Sequence, residues 1–151
     1  MKAVTVRQPW GWAIMHGGKD VENRTRNIAG SYRGPLVIHA AKVGASFDST
    51  HPTLWPFDAR HAFGVALGVV DLVSVHVSRM SLTPTHYGEP VCFDDHTPTG
   101  SLCSKWAQYD QIGITHHLIL ANPRPFPEPI PHKGALGLWN FPDELLPEEF
   151  R

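Results

Sequence analysis

Residues 63–77, FGVALGVVDLVSVHV, constrain the fold more than any other stretch of the chain. The segment is dense in β-branched residues and reads as one long strand. Drawn straight, it would span roughly 50 Å at about 3.3 Å per residue. A globular chain of this size has a radius of gyration of only about 15 Å. The strand must therefore bend, and Gly64 and Gly68 are the natural places for it. A long, sharply curled strand is what a small closed barrel needs. Asp71 interrupts the apolar set Val65, Leu67, Val69, Val73, Val75 and Val77. It reads as turned outward or paired with an arginine, in preference to a buried acid facing a cleft.

The remaining elements are short. Residues 2–6 alternate in polarity and predict a strand. Pro9 suits a first helical turn, and Trp10, Ala13, Ile14 and Gly17 share one helical face. Gly17-Gly18 supplies the stop. Residues 19–26 have period-2 character, which puts Glu22, Arg24 and Arg26 on one face. Residues 35–41 and 115–121 read as strands, as do Val91–Phe93 and Ala135–Phe141. A short helix is expected near Leu54–His61. From Pro123 to Pro131 proline occupies every second position. Such a run cannot donate to a central ladder and favours polyproline II. The segment 122–131 is expected to be a rigid strap, with docking of a proline-reading partner as the lesser reading. The predicted class is α+β: a single domain over 1–151, built as a small mixed β-barrel with a few short flanking helices.

Charge narrows the partner. The net charge is -1, which argues against nucleic acid only if the charges are evenly spread. They are not. Residues 1–42 hold seven basic and two acidic side chains, a net of +5, and residues 43–151 net -6. The acidic tail 143–151 alone nets -3. A local basic surface can bind phosphate on a neutral molecule. Two cysteines make a disulfide scaffold unexpected, and no apolar run reaches the roughly 20 residues that span a bilayer. A cytoplasmic protein without membrane contact is expected.

The densest chemistry is Gly17-Gly18-Lys19-Asp20-Val21-Glu22-Asn23-Arg24, a G-x-K-x-x-E-x-R pattern preceded by Arg7-Gln8-Pro9-Trp10. Lys19 offers a mobile ammonium, and Arg24 a planar fork for phosphate or a base edge. Glu22 could orient that fork, accept from a base amino group, or form a plain salt bridge. Trp10 shares the apolar helix face and also reads as core. Trp106, in the polar stretch Ser104-Lys105-Trp106-Ala107, is the better base-stacking candidate.

These residues carry a resemblance. Val6-Arg7-Gln8-Pro9-Trp10-Gly11-Trp12, the G-x-K-x-x-E-x-R run and Tyr32-Arg33-Gly34 with Val37-Ile38-His39-Ala40 come first. Asn122-Pro123-Arg124, Pro129-Ile130-Pro131, Lys133-Gly134 and Gly137-Leu138-Trp139 follow. Together they resemble the ASCH domain family, whose fold is similar to the PUA domains of RNA-binding proteins. The resemblance implies a β-barrel and a cleft beside the G-x-K-x-x-E-x-R segment. It nominates Lys19, Glu22 and Arg24, with Arg7, Trp10, His39, Lys42 and Lys133 as walls. RNA or a nucleotide is the implied partner, read as a single nucleotide or modified base.

Some small ASCH proteins are amidohydrolases of N4-acetylcytidine. Their catalytic group is a lysine, a hydroxyl residue three positions later and a distant glutamate. The resemblance places Lys19 at the lysine and Glu89 loosely at the glutamate, while Glu22 stands where the hydroxyl belongs. Ribonuclease activity is the other enzymatic alternative. No cofactor is expected. No metal is expected either. Cys92, His96 and Cys103 fit no standard zinc spacing, with His86 nearby. His116 and His117 would point to opposite faces of a strand.

Overall fold

A computed structural model describes residues 1–55, 57–58, 60–82, 87–109 and 114–151. The eight strands are β1 (Lys2–Val6), β2 (Val21–Arg24), β3 (Gly34–Ala40), β4 (Val65–Met80), β5 (Pro90–Asp94), β6 (Thr97–Pro98), β7 (Thr115–Pro131) and β8 (Leu138–Asn140). The one α-helix among the described residues is α1 (Trp10–His16), accompanied by three 3-10 turns. The first of these turns, Pro52–Leu54, meets the short helix expected near Leu54–His61 only at Leu54, and the described residues after it up to His61 are not helical. Pro56, Ala59 and His86 lie outside the described residues. No described helix is long and apolar enough to cross a membrane.

The mixed sheet is present, but it is open. The strand path runs β2-β7-β4-β3-β1-β8 and does not close into the expected barrel. β1 pairs in parallel with β3, from Lys2 opposite Leu36 to Val6 opposite Ala40, and antiparallel with β8. The long strand is real and one residue longer than the segment that predicted it. Its length is accommodated by division, not by curling into a barrel. The chain forms two compact units, and β4 passes from one to the other between Asp71 and Leu72. β7 does the same between Ala121 and Asn122.

The first unit comprises Met1–Lys19, Gly34–Asp71 and Asn122–Arg151. Its core is Ala3, Val37, Ala66, Val69, Phe126, Phe141 and Leu146. The acidic C-terminal segment is folded onto this core. Leu146 is buried there, and the Phe150 ring meets Phe126 edge-on at 5.0 Å. Asp71 accepts from Arg124 Nη2 and from Asn122 Nδ2, both at 2.8 Å, so the arginine pairing expected of it is present.

The proline run is the second half of β7, not a separate strap. Successive N–H groups of a strand point to opposite in-plane sides, so prolines at every second position remove donors from one side only. Arg124, Phe126, Glu128 and Ile130 keep theirs. His132, next in that series, donates to Gly64 O at 3.2 Å, which shows the series facing the start of β4. Gly68 of β4 sits under Arg124 O and Pro125, so close that a side chain would not fit. That close approach is the role of Gly68, which needs no left-handed backbone.

The second unit comprises Asp20–Arg33 and Leu72–Ala121. β2 pairs antiparallel with β7, Glu22 opposite Leu118 and Arg24 opposite His116. β5 pairs antiparallel with β4, Ser78 opposite Cys92, and carries the two-residue β6. Val21, Leu72, Val91, Cys92, Leu118 and Trp106 are buried in it.

Candidate functional site

In the first unit, buried Gln8 starts α1. Its Oε1 accepts from Trp12 N–H at 2.9 Å, satisfying one orphan helix donor, and its Nε2 donates to Ala62 O. Gly17 and Gly18 end the helix, and Gly18 takes the left-handed backbone (φ 71°) that a glycine adopts without cost. The chain then folds back, so that Lys19 N–H reaches Ala13 O at 3.0 Å. This turn lays the Lys19 side chain against Trp10, with Nζ 5.8 Å from the ring centroid. Lys19 is buried, at 5% exposure, and Trp10 is half-buried.

Trp10 is also the edge of an aromatic surface. It meets Trp55 edge-on at 5.4 Å and His51 at 5.8 Å, and Trp55 meets Phe47 at 5.6 Å. Phe47 is largely exposed. These partners fall in a segment that reads as loop in the sequence. Their signal was the four-residue spacing of Phe47, His51 and Trp55, aromatic positions in an otherwise polar stretch.

Arg7, Lys42 and Lys133 of this unit are exposed. His39 is different. It is buried in β3, and its Nε2 donates to His132 O at 2.9 Å. Burial lowers its pKa, against the hydrogen bond to His132, which raises it. The folded state therefore favours neutral His39. Below the usual histidine value of about 6.5, the unfolded chain takes up a proton that the folded chain resists. Stability should be full above that pH and fall as the pH drops through it toward the lower folded value. Urea melts from pH 7.5 to 5.5 should show the loss, and His39→Gln should flatten it. A wild-type midpoint independent of pH in that window would contradict this assignment.

In the second unit, Glu22 and Arg24 pair on one face of β2, Oε1 to Nη2 at 3.0 Å. Asn23 between them accepts from Gln108 N–H and donates to Trp106 O, each at 3.0 Å. Ser104 bonds Asp20 and accepts from Trp106 N–H. Trp106 is 9% exposed and packed in the core. The two tryptophans thus exchange the places expected of them: Trp106 has its faces covered, and Trp10 stands half-open beside a lysine. Glu89 lines an open groove of about 510 Å³ together with Pro90, Leu102, Ser104 and Lys105.

The segment that builds the Trp10–Lys19 pair and β2 lies within a longer match. The profile of the ASCH domain family matches residues 4–129. The chain belongs to the ASCH domain family. ASCH domains are in general RNA-binding, PUA-like modules. A search among curated proteins returned no significant match. Within this ASCH domain, the match spans the helix, the G-x-K-x-x-E-x-R run and all described strands but β8, with β1 matched from Val4 and β7 up to Pro129.

Proposed function

We propose that this ASCH domain binds RNA, or a nucleotide, through the surface built on Trp10 and Lys19, and reads a single nucleotide or modified base there. The observation that supports this most is the lysine ammonium held 5.8 Å from the ring of a half-buried tryptophan. A base stacked on Trp10, flanked by Trp55 and Phe47, would bring its phosphate near the Lys19 ammonium of the same unit. Stacking on one aromatic ring contributes about 1–3 kcal/mol per base. Lysine neutralises phosphate and makes the binding depend on salt.

The test is affinity for a short single-stranded RNA at several salt concentrations. Trp10→Ala should weaken binding roughly 5- to 150-fold, the equivalent of that stacking energy. Lys19→Ala should weaken it and make it less sensitive to salt. Far-ultraviolet circular dichroism of each variant checks that the fold persists. Unchanged affinity in both folded variants would overturn the reading.

The hydrolase alternative also centres on Lys19, but Glu22 is engaged with Arg24 at 3.0 Å, which weighs against it as an acid–base partner. Incubation with N4-acetylcytidine separates the two readings. Release of cytidine that disappears in Lys19→Ala would make the protein an amidohydrolase. Shortening of the RNA probe would point to a ribonuclease.

A further inference from the structure

Cys92, Cys103 and His117 meet in the second unit. The Nδ1 atom of His117 lies 3.1 Å from Cys92 Sγ and 3.2 Å from Cys103 Sγ. A ring nitrogen of His76 and both sulfurs lie within 4.8 Å of one another. The four side chains come from four segments: His76 from β4, Cys92 from β5, Cys103 from the loop after β6, and His117 from β7. Both cysteines are free thiols.

The outer atoms of the two imidazoles are also arranged. His117 Nε2 lies 2.6 Å from Gln108 O. A carbonyl only accepts, so Nε2 carries the proton and Nδ1 presents its lone pair to the sulfurs. His76 Nε2 lies 3.6 Å from Asp94 Oδ2, while its Nδ1 is buried and has no hydrogen-bond partner. Asp94 is itself held by Ser74 Oγ at 3.0 Å. Metal-bound histidines are oriented in this way, one nitrogen on the ion and the other on a carboxylate or backbone carbonyl. Cys103 N–H donates to Cys92 Sγ at 3.1 Å, which favours the thiolate form of that sulfur.

The His117 lone pair and both sulfurs converge, and the buried His76 Nδ1 beside them has no hydrogen-bond partner. A cation satisfies all four groups. Two thiolates and two neutral imidazoles balance a divalent charge and form the tetrahedral Cys2His2 set that zinc takes. Around zinc, neighbouring sulfur and nitrogen ligands lie about 3.6 Å apart, given bonds of about 2.3 and 2.1 Å. The two distances from His117 Nδ1 to the sulfurs are within half an ångström of that, and a His76 ring nitrogen lies within 4.8 Å of both sulfurs.

We propose that His76, Cys92, Cys103 and His117 form a binding site for one structural zinc ion that ties β4, β5 and β7 of the second unit together. His96, the histidine between the cysteines in sequence, is exposed in the β5–β6 turn and takes no part.

The test uses the full chain, purified under reducing conditions without chelator. Metal analysis should find one zinc per chain. After zinc is removed, cobalt(II) should produce the visible bands of a tetrahedral ion and a thiolate-to-cobalt charge-transfer band. Cys103→Ser, at a partly exposed position, should lose or shift that band. Asp94→Asn, which touches His76 from outside the site, should weaken cobalt binding about 10- to 100-fold. Three results would each overturn the proposal. The reduced wild-type chain could give no charge-transfer band. Cys103→Ser could bind cobalt with an unchanged spectrum. A sample purified without reductant could carry a Cys92–Cys103 disulfide, two hydrogens lighter by mass.

Discussion

Phe141→Ala should remove about 3–5 kcal/mol of folding stability. Phe141 is 1% exposed and sits in the first unit's core with Ala3, Val37 and Leu146. Its backbone N–H also bonds Met1 O at 2.8 Å, so the residue cannot slide to fill the space its ring leaves. The surrounding rings of His132 and Trp139, at 5.1 and 6.1 Å, lose their packing partner. Domains are stable by only about 5–15 kcal/mol, so the loss is a large share of the whole. For a chain of this length it corresponds to a fall in melting temperature of roughly 6–20 °C. Thermal and urea melts measure it, and a loss below about 1 kcal/mol would show that the core repacks around the cavity.

The second large effect is expected at Gly68, from added volume. A Cβ there would stand 2.5 Å from Arg124 O and 2.7 Å from both Pro125 Cα and Met15 Sδ. Met15 can turn away, but the two backbone atoms cannot without moving β7 off β4. Gly68→Val should therefore cost about 3 kcal/mol, the upper end for overpacking. Combining it with Met15→Ala should recover little of that loss, because backbone sets the limit. Full recovery in the double variant would show that the side chain was the obstacle. Urea midpoints of the two variants and the wild type decide it.

What the sequence discloses follows from how local each signal is. β1 and β3 are legible to within a residue and α1 in place, since each is announced by its own period and α1 also by Pro9, Gly17 and Gly18 at its ends, while β2 is shorter than the 19–26 run by two residues at each end. The long strand is legible for the same reason. Its fate is not: composition and length suggest a barrel, whereas sharing β4 between two units depends on which distant segments pack on each half. The proline run misleads because proline reads as a break in the ladder. Only the parity of Pro123 to Pro131 against His132 and Gly64 shows that one side of the strand remains intact.

The site residues divide in the same way. Lys19 and Trp10 are nine residues apart across one helix and one turn, so their meeting can be anticipated. Trp55 and Phe47 join them from a segment without periodic structure. The Cys92–Cys103–His117–His76 cluster is out of reach of any spacing rule. Its members lie on four segments, and His76 is separated from His117 by the last four residues of β4, all of β5 and β6 and the start of β7. The adjacent pair His116-His117 does face two ways, as a strand requires. His117 is wholly buried and only His116 is partly open, and that burial brings His117 to the sulfurs.

The one-sided proline run has a consequence for how this molecule meets its own copies. The pairing of β7 with β2 extends only from His116 to Ile119, so beyond it the strand has β4 on one side and no further strand on the other among the described residues. An exposed strand edge ordinarily invites another chain to add a strand, the first step toward aggregation. Here an incoming strand would find carbonyls to donate to and no N–H to accept from, over nine residues. The same five prolines that leave the ladder with β4 intact close that edge to recruitment, and a long strand can lie at the margin of the sheet without becoming a template.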